Sequence, residues 1–364
     1  MSNVKDLISK YNFKSSVFIG SLASHSTLDI ARGAKDEGFK TLAICKKGRE
    51  QTYDKYFKSR VRGKEKVGCI DEIIILNDWK EIINENIIKK LLASNAIIIP
   101  HRSLEVYLGY DIIENSLNVL LFGNRMLLRA EERTGPYKIE KNQDYLVKLA
   151  DISTPKKFSP EEIDRPVIIK ATKAIGEKHF SREFPIVSSF KEYEAKCNEA
   201  VERGKNKEEK KKIEENFRAA PIEEFIKGEK INLNFFYSKI HDELELLGTD
   251  TRLQFPNGEE LAHIPLSLRE SLLENALEMG NKIVETTRKV FPPGIIGPFA
   301  LQTIADENEN LLVYDVSFRI PGSPDTEVTP YTKYLYGQPV SFGRRIAKEI
   351  KDAIMLSRIE EVLS

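Results

Sequence analysis

The sequence predicts an α/β fold, and two features carry that reading. The first is a rhythm of short, continuously apolar segments alternating with helical stretches up to about residue 125; the second is a change of pattern near Asp151, after which shorter strands and a late hairpin take over. Strands apolar on both faces and spaced by helices belong to a parallel sheet covered on each side. Residues 1–125 therefore read as a Rossmann-like domain, and residues 126–364 as a different architecture built on a mixed sheet.

In order along the chain, the apolar strand Ser16–Ser21 runs into Ser24-His25-Ser26-Thr27, whose hydroxyls suit the cap of a helix reaching about Glu37, with Gly38 ending it. Thr41–Cys45, Ile70–Leu76, Ala96–Ile99 and Val119–Phe122 read as further strands, and Lys80–Ala93 as an intervening helix. Beyond Pro155 and the cap Ser159-Pro160 comes the strand Pro166–Lys170. A charged helix over Tyr193–Asn216 follows, its mixed signs marking a solvated face. Ile222–Ile226, Ile231–Tyr237 and Glu243–Gly248 read as strands, Leu268–Val290 as a helix, Pro298–Ile304 and Leu311–Val316 as a hairpin, and Ser341–Leu356 as a closing amphipathic helix.

Composition narrows the function. At 364 residues with 41% hydrophobic and 31% charged side chains, the chain has material for two or three packed domains. Its 56 basic and 56 acidic residues cancel, so no net field favours nucleic acid or an anionic membrane. Three cysteines without close spacing argue against a disulfide framework or a structural zinc site, and no segment reads as a signal peptide or a membrane span. A cytoplasmic protein acting on small molecules is expected.

Three polar clusters follow strands of the first domain: Ser24–Thr27, His101-Arg102-Ser103 and Gly123-Asn124-Arg125. Open parallel sheets bind ligands beyond the carboxyl ends of their strands, and a hydroxyl-rich helix N-terminus suits phosphate, so a nucleotide monophosphate fits this edge. The same residues also serve as plain helix caps. No G-x-G-x-x-G follows the first strand, which removes the ordinary NAD fingerprint. In the late hairpin, Gln302 lies on one strand while Asp315, Ser317 and Arg319 alternate on one face of the other. Oxygen ligands so paired can hold Mg²⁺ alongside ATP phosphates, although a solvent-facing hairpin shows the same alternation. Lys170, ending its strand, can neutralise a phosphate or simply extend into solvent. Glu223 and Glu224 precede a backbone edge able to bond an adenine.

Taken together, SHSTLDIARGAKDEGF (24–39), IIIPHRSLEVYLG (97–109), LLFGNRMLLR (120–129), TPKKFSPEEIDRPVIIK (154–170), IEEFIKG (222–228), FFYSKIHDELELLGTDTR (235–252), PPGIIGPFALQ (292–302) and SFGRRIAKEIKDAI (341–354) give the chain its family likeness. The sequence resembles the archaeal formate-dependent synthetases that formylate 5-aminoimidazole-4-carboxamide ribonucleotide in purine biosynthesis, the PurP family of ATP-grasp enzymes. The resemblance implies a Rossmann-like domain (1–125), a linker with a small ATP-grasp lid (126–225) and a C-terminal ATP-grasp domain (226–364). It implies ATP and Mg²⁺ as cofactors, a ribonucleotide monophosphate and formate as partners, and a homo-oligomer. Substrate-binding residues would be His25, Ser26, His101, Ser103, Asn124 and Arg252. ATP would meet Lys170, Lys173, Glu223, Glu224, Ile226 and Glu229, the metal Gln302 and Asp315, and catalysis would fall to Lys170 and Arg319.

The chain departs from the family pattern in three places. A glycine-rich phosphate loop is replaced by Ala171–Phe180 with one glycine, where Lys173 and Lys178 are the side-chain substitutes. A substrate loop after Arg252 is shortened, the chain running through Leu253–Asn257 almost directly to His263 and the next helix. Arg102 enters the turn before Ser103, and a hairpin Glu becomes Asp315. A nucleotide-binding paralogue without catalysis, acting as regulator or partner subunit, is the competing expectation.

Overall fold

The computed structural model of the chain describes residues 4–135, 137–175, 179–254, 260–322 and 326–364. The first hundred residues hold strands β1 (Phe18–Leu22), β2 (Lys40–Lys46), β3 (Arg60–Arg62), β4 (Glu65–Val67), β5 (Glu72–Leu76) and β6 (Ala96–Ile98). β5, β2, β1 and β6 lie side by side in that order and all parallel, while β3 and β4 form a separate small hairpin. β1 and β6 are buried at every position, as continuous apolar runs require. The strand expected over Val119–Phe122 is reduced to isolated bridges: Leu121 lies beside Ile98, and Phe122 opposite Leu363.

Helices α1 (Val4–Ile8), α2 (Thr27–Asp36), α3 (Glu85–Ala93), α4 (Arg102–Leu108) and α5 (Tyr110–Asn115) accompany this sheet. The single helix expected over Lys80–Ala93 is interrupted. Asn84, in an extended conformation, separates a 3₁₀ turn at Trp79–Ile83 from α3.

The middle region contains α6 (Gln143–Leu149), β7 (Val167–Ile169), β8 (Ala171–Ile175), β9 (His179–Glu183), β10 (Ile186–Val187), α7 (Phe190–Glu202), α8 (Lys207–Arg218) and β11 (Ile222–Glu224). β10, β7 and β11 make an antiparallel sheet, and β8 pairs with β9 as a hairpin in a stretch that carries no strand signal. The charged helix expected over 193–216 is two helices, because Asn206 starts a new one by accepting from Glu209 N at 2.9 Å. Tyr193, Cys197 and Phe217 pack with Val167, Ile169 and Ile222 into a small core of their own.

The last region is a five-stranded antiparallel sheet ordered β14-β13-β12-β15-β16, from β12 (Glu229–Ser238), β13 (Glu243–Gln254), β14 (Glu260–Leu266), β15 (Gly297–Ala305) and β16 (Leu311–Ser317). The late hairpin is there. β14 is the element that sequence reading passed over. It sits at the sheet edge, where Pro265 is tolerated because only one side needs ladder bonds.

Helices α9 (Leu273–Val290), α10 (Tyr331–Tyr336) and α11 (Phe342–Met355) complete the chain. α11 crosses α2 backbone to backbone. A Cβ on Gly33 would lie 1.9 Å from Arg344 N, and one on Gly343 would lie 2.1 Å from Asp29 O. The crossing carries a shared core in which Ile19, Ile30 and Ile97 of the first domain meet Phe236, Leu247, Phe342, Ile346 and Ile350. Each such buried side chain contributes about 1.5–3 kcal/mol, which holds the first and last regions together. Cys45, Cys69 and Cys197 are buried and unpaired. Among the described residues, no helix is long and apolar enough to cross a membrane.

Candidate functional site

At the carboxyl end of β1 the chain turns through Ser24–Thr27. Thr27 holds the turn: its Oγ1 lies within hydrogen-bonding distance of Leu22 O (2.6 Å) and Ser24 O (2.7 Å), and it accepts from Ser24 N (3.1 Å). His25 adopts a left-handed conformation (φ 51°), and its Nδ1 lies 2.8 Å from Ser26 Oγ. Ser26 Oγ in turn donates to Pro321 O at 2.9 Å, joining the turn to the segment that leaves β16.

The His25 ring stacks on His101, with centroids 5.5 Å apart and planes 1° from parallel. His101 is completely buried. Its Nδ1 accepts from Ser103 N at 3.2 Å, capping α4, which leaves Nε2 as the protonated nitrogen, donating to Leu22 O at 2.9 Å. Burial pushes its pKa down to about 4, so the ring is neutral. His25, Ser26, His101 and Ser103 thus gather at one edge as expected, with His101 spent on the framework beneath His25.

Asn124 is engaged elsewhere. Asn124 Nδ2 donates to Phe291 O (3.0 Å) and Gly294 O (3.1 Å), and its Oδ1 accepts from Met126 N, so the whole amide ties two loops together. Arg252 lies on β13, cross-strand from His263.

The ATP-side candidates meet elsewhere. Lys170 is largely buried rather than extended into solvent: Nζ is 2.5 Å from Glu223 Oε2 and donates to Tyr314 O at 3.1 Å. Burial, with Arg133 nearby, lowers its pKa. Gln302 and Asp315 are cross-strand partners, and Gln302 Nε2 donates to Asp315 Oδ2 at 2.8 Å. Between these groups stands Arg133, which sequence reading missed. Its guanidinium is 3.2 Å from Glu223 Oε1, 3.2 Å from Asp315 Oδ1 and donates to Tyr314 O at 2.9 Å. The only signal was a basic residue directly after Glu131-Glu132 at the entrance to the middle region.

Glu224 faces away, toward Arg165 at 3.6 Å, because alternate residues of β11 point to opposite sides. Ile226 is half-buried on the otherwise exposed connector between β11 and β12, and Glu229 is exposed at the start of β12. Lys173 falls on β8 opposite Ser181, but its side chain, like all of Lys178, lies outside the described residues. A cavity of about 30 Å³ remains among Arg133, Lys157, Glu223 and Asp315.

Arg319 corrects the expectation that it works beside Asp315. β16 ends at Ser317, and a bend at Phe318–Arg319 breaks the alternation that would have kept Arg319 on the face of Asp315. Its guanidinium is buried toward the first domain, 3.2 Å from Glu131 Oε2 and 3.8 Å from Glu105 Oε1. Arg102 completes the group, 2.9 Å from Glu105 and 3.3 Å from Glu132. Burial and the neighbouring Glu131 raise the Glu105 pKa to about 8, so this carboxyl is largely protonated at neutral pH.

Among the described residues no three His, Cys, Asp or Glu side chains form a metal cluster. Mg²⁺ carried with ATP needs less: one or two protein oxygens, with phosphate and water completing the octahedron. The Asp315 carboxylate and the Gln302 side-chain carbonyl fit that requirement in kind.

A Rossmann-like domain, a small antiparallel sheet bearing Lys170 and a large antiparallel sheet bearing Gln302 and Asp315 define the ATP-grasp class. Solved structures agree on the fold. The biotin carboxylase domain of Hydrogenobacter thermophilus 2-oxoglutarate carboxylase, solved with MgADP, is 19% identical with a TM-score of 0.58, over 91% of this chain and 69% of that one. The IMP biosynthesis protein PurP from Thermococcus kodakaraensis is 27% identical with a TM-score of 0.68, over 95% of this chain and 100% of that one.

The chain belongs to the family of 5-formaminoimidazole-4-carboxamide-1-(beta)-D-ribofuranosyl 5'-monophosphate synthetases. The relative so named from Methanocaldococcus jannaschii is 37% identical over 99% of this chain and 98% of its own length, and that from Methanobrevibacter smithii is 35% identical over 100% and 99%. Two family models match as well: "Protein of unknown function (DUF1246)" over residues 19–158 and "Domain of unknown function (DUF1297)" over 192–257 and 254–364.

Proposed function

We propose that the chain catalyses the ATP- and formate-dependent formylation of 5-aminoimidazole-4-carboxamide ribonucleotide, forming ADP and phosphate. The observation that carries this reading is the end-to-end similarity, at 37% identity, to an enzyme named for that product. A formate oxygen attacks the γ-phosphorus of ATP, the bond to ADP breaks, and formyl phosphate results. The ribonucleotide amine then attacks the formyl carbon, phosphate leaves and the nitrogen loses a proton. Catalysis is positioning and charge neutralisation, so the burden falls on cations held in place beforehand.

Lys170 and Arg133 are those cations, fixed by Glu223 and by Tyr314 O. Asp315 and Gln302 would hold the Mg²⁺, which when bound offsets charge on the transferring phosphoryl group. His25, Ser26 and Ser103 receive the ribonucleotide monophosphate at the end of β1 and the start of α4, within residues 1–125. Residues 126–225 act as the lid and 226–364 as the body of the ATP site, with the connector at Ile226 toward adenine. A cytoplasmic homo-oligomer fits this role, and α10 offers Tyr334 and Leu335 on the surface while Tyr331 is buried.

A paralogue that binds nucleotide without turnover draws no support from the relatives. The deciding experiment supplies ATP, Mg²⁺, formate and the ribonucleotide and follows ADP together with the formylated product by mass spectrometry. ADP release that requires both co-substrates is expected. Nucleotide binding with no ADP release would overturn the reading.

A further inference from the structure

Glu50 closes the loop that follows β2, and its Oε2 is shut off from solvent with no hydrogen-bond donor among the described residues. Its backbone carbonyl is engaged, accepting from Tyr53 N and Asp54 N at 2.9 Å. An orphaned carboxylate oxygen calls for an explanation, the more so with cations close by in the chain. Lys46 turns instead to Asp78, at 3.6 Å, and Arg49 donates to Tyr107 Oη at 3.2 Å. The Glu50 side chain as a whole is half-buried, and its last torsion is a broad rotor, so it can present an oxygen to a ligand at this edge.

The place of Glu50 in the sheet says which ligand group it would meet. Counted along the chain, β5, β2, β1 and β6 stand in the order third, second, first, fourth, the arrangement of a mononucleotide-binding half-sheet. In such sheets phosphate sits at the helix after the first strand, and an acidic residue about 20 positions further on bonds the ribose 2′-hydroxyl. The Ser24–Thr27 turn and α2 occupy the first place, and Glu50 lies at that remove beyond Thr27. Leu22 and Ile44 are the last residues paired between β1 and β2, so turn and loop leave the sheet side by side. Cys45 packs with Ala23, and burial together with the nearby Glu50 and Asp54 carboxylates pushes its thiol up to about 12, which sets Glu50 close to this end of the sheet. Tyr107 lies one helical turn beyond Ser103 on the same face of α4, so Arg49 ties the loop to the helix that carries Ser103. One strand spacing, about 4.8 Å, is the reach of a sugar joined to a phosphate at the turn.

We infer that Glu50 is the ribose-binding residue of the monophosphate edge, its carboxylate accepting from the 2′-hydroxyl of the ribonucleotide. The inference rests on the ligase reading above for the identity of that nucleotide. Lys46, Lys47 and Arg49 outweigh Glu50 in charge, so the loop as a whole attracts a monophosphate. A deoxyribose would leave the carboxylate unsatisfied, and the residue therefore selects ribonucleotides.

The test is calorimetry with 5-aminoimidazole-4-carboxamide ribonucleotide, its 2′-deoxy counterpart and the unphosphorylated nucleoside, on the parent, Glu50→Gln and Glu50→Ala. The parent should bind the ribonucleotide about tenfold or more tightly than the deoxy form, the worth of a hydrogen bond to a charged group. In Glu50→Ala that ratio should fall toward unity, and in Glu50→Gln, which keeps an acceptor without the charge, to an intermediate value. The preference for monophosphate over nucleoside should stay as in the parent, which also shows that the variants fold. A parent ratio near unity, or a parent-like ratio in either variant, overturns the role of Glu50 and leaves the ligase reading standing. A parent that binds none of the three compounds overturns both.

Discussion

Arg133 Nη2 stands 3.2 Å from Asp315 Oδ1, so the carboxylate best suited to a metal already carries a guanidinium counterion. The other oxygen of Asp315 accepts from Gln302, and the same arginine reaches Glu223. A cation arriving with ATP has to displace Arg133 from Asp315, and the freed guanidinium is then available to phosphate.

That competition has a measurable consequence. Arg133→Gln should lower the Mg²⁺ concentration giving half-maximal ADP release by about tenfold, the worth of one charge-assisted hydrogen bond, while raising KM for ATP. Asp315→Asn should instead slow ADP release by orders of magnitude and leave monophosphate binding intact. A Mg²⁺ titration of the three proteins checks both, and an unchanged midpoint in Arg133→Gln would rule out the competition.

Glu105 makes stability depend on pH. Its folded pKa, about 8, lies above the ordinary 4.5, so the folded state holds a proton that the unfolded chain has lost. The stability this provides is present at low pH and declines as pH rises toward 8, by up to about 1.4 kcal/mol per unit. His101, depressed to about 4 from 6.5, acts in the opposite sense below pH 6.5. Between pH 6.5 and 8 Glu105 acts without that opposition. Glu105→Gln should flatten the denaturant-derived stability across that window and exceed the parent at pH 8; parallel curves would show that Glu105 is ionised in the fold.

The α2–α11 crossing sets a steric limit. Gly33→Ala puts a methyl 1.9 Å from Arg344 N and 2.2 Å from Gly343 C, both backbone atoms of the facing helix. Separating the helices should cost about 3 kcal/mol or more, the upper range for overpacking. Urea unfolding measures it, and a loss under ~1 kcal/mol would mean that the helices are free to slide.

The edge at Ser24–Thr27 and His101–Ser103 should distinguish a phosphorylated ligand from its nucleoside. Calorimetry should find the ribonucleotide monophosphate bound at least about tenfold more tightly, since a charged acceptor at a helix N-terminus gains more than a neutral one. Equal affinities would remove phosphate from this edge.

Local pattern revealed most of the scaffold. The apolar runs at Phe18–Leu22 and Ala96–Ile98 announced buried parallel strands, and Ser341 announced the helix it caps by accepting from Arg344 N. The site was legible only where function leaves a local mark, as in the polar turns after strands or the lysine directly after β7. Arg133 left none. Its meaning comes from Tyr314, 181 positions away, and from Asp315, just as the burial of Arg319 comes from Glu131, 188 positions away. β14 escaped because its edge position lets it keep a proline and exposed Leu261 and Ile264, so neither alternation nor propensity marks it.

The interlocking of α11 with the first domain bears on how the protein is made. Ile19, Ile30 and Ile97 belong to the part of the chain that a ribosome delivers first, yet their packing partners Phe342, Ile346 and Ile350 emerge more than two hundred residues later. At roughly 5–20 residues per second that interval is on the order of 10–70 s, during which the newborn parallel sheet carries an uncovered apolar flank. Translation speed and chaperone access thus bear most heavily on the earliest domain, whose completion waits for the final helix.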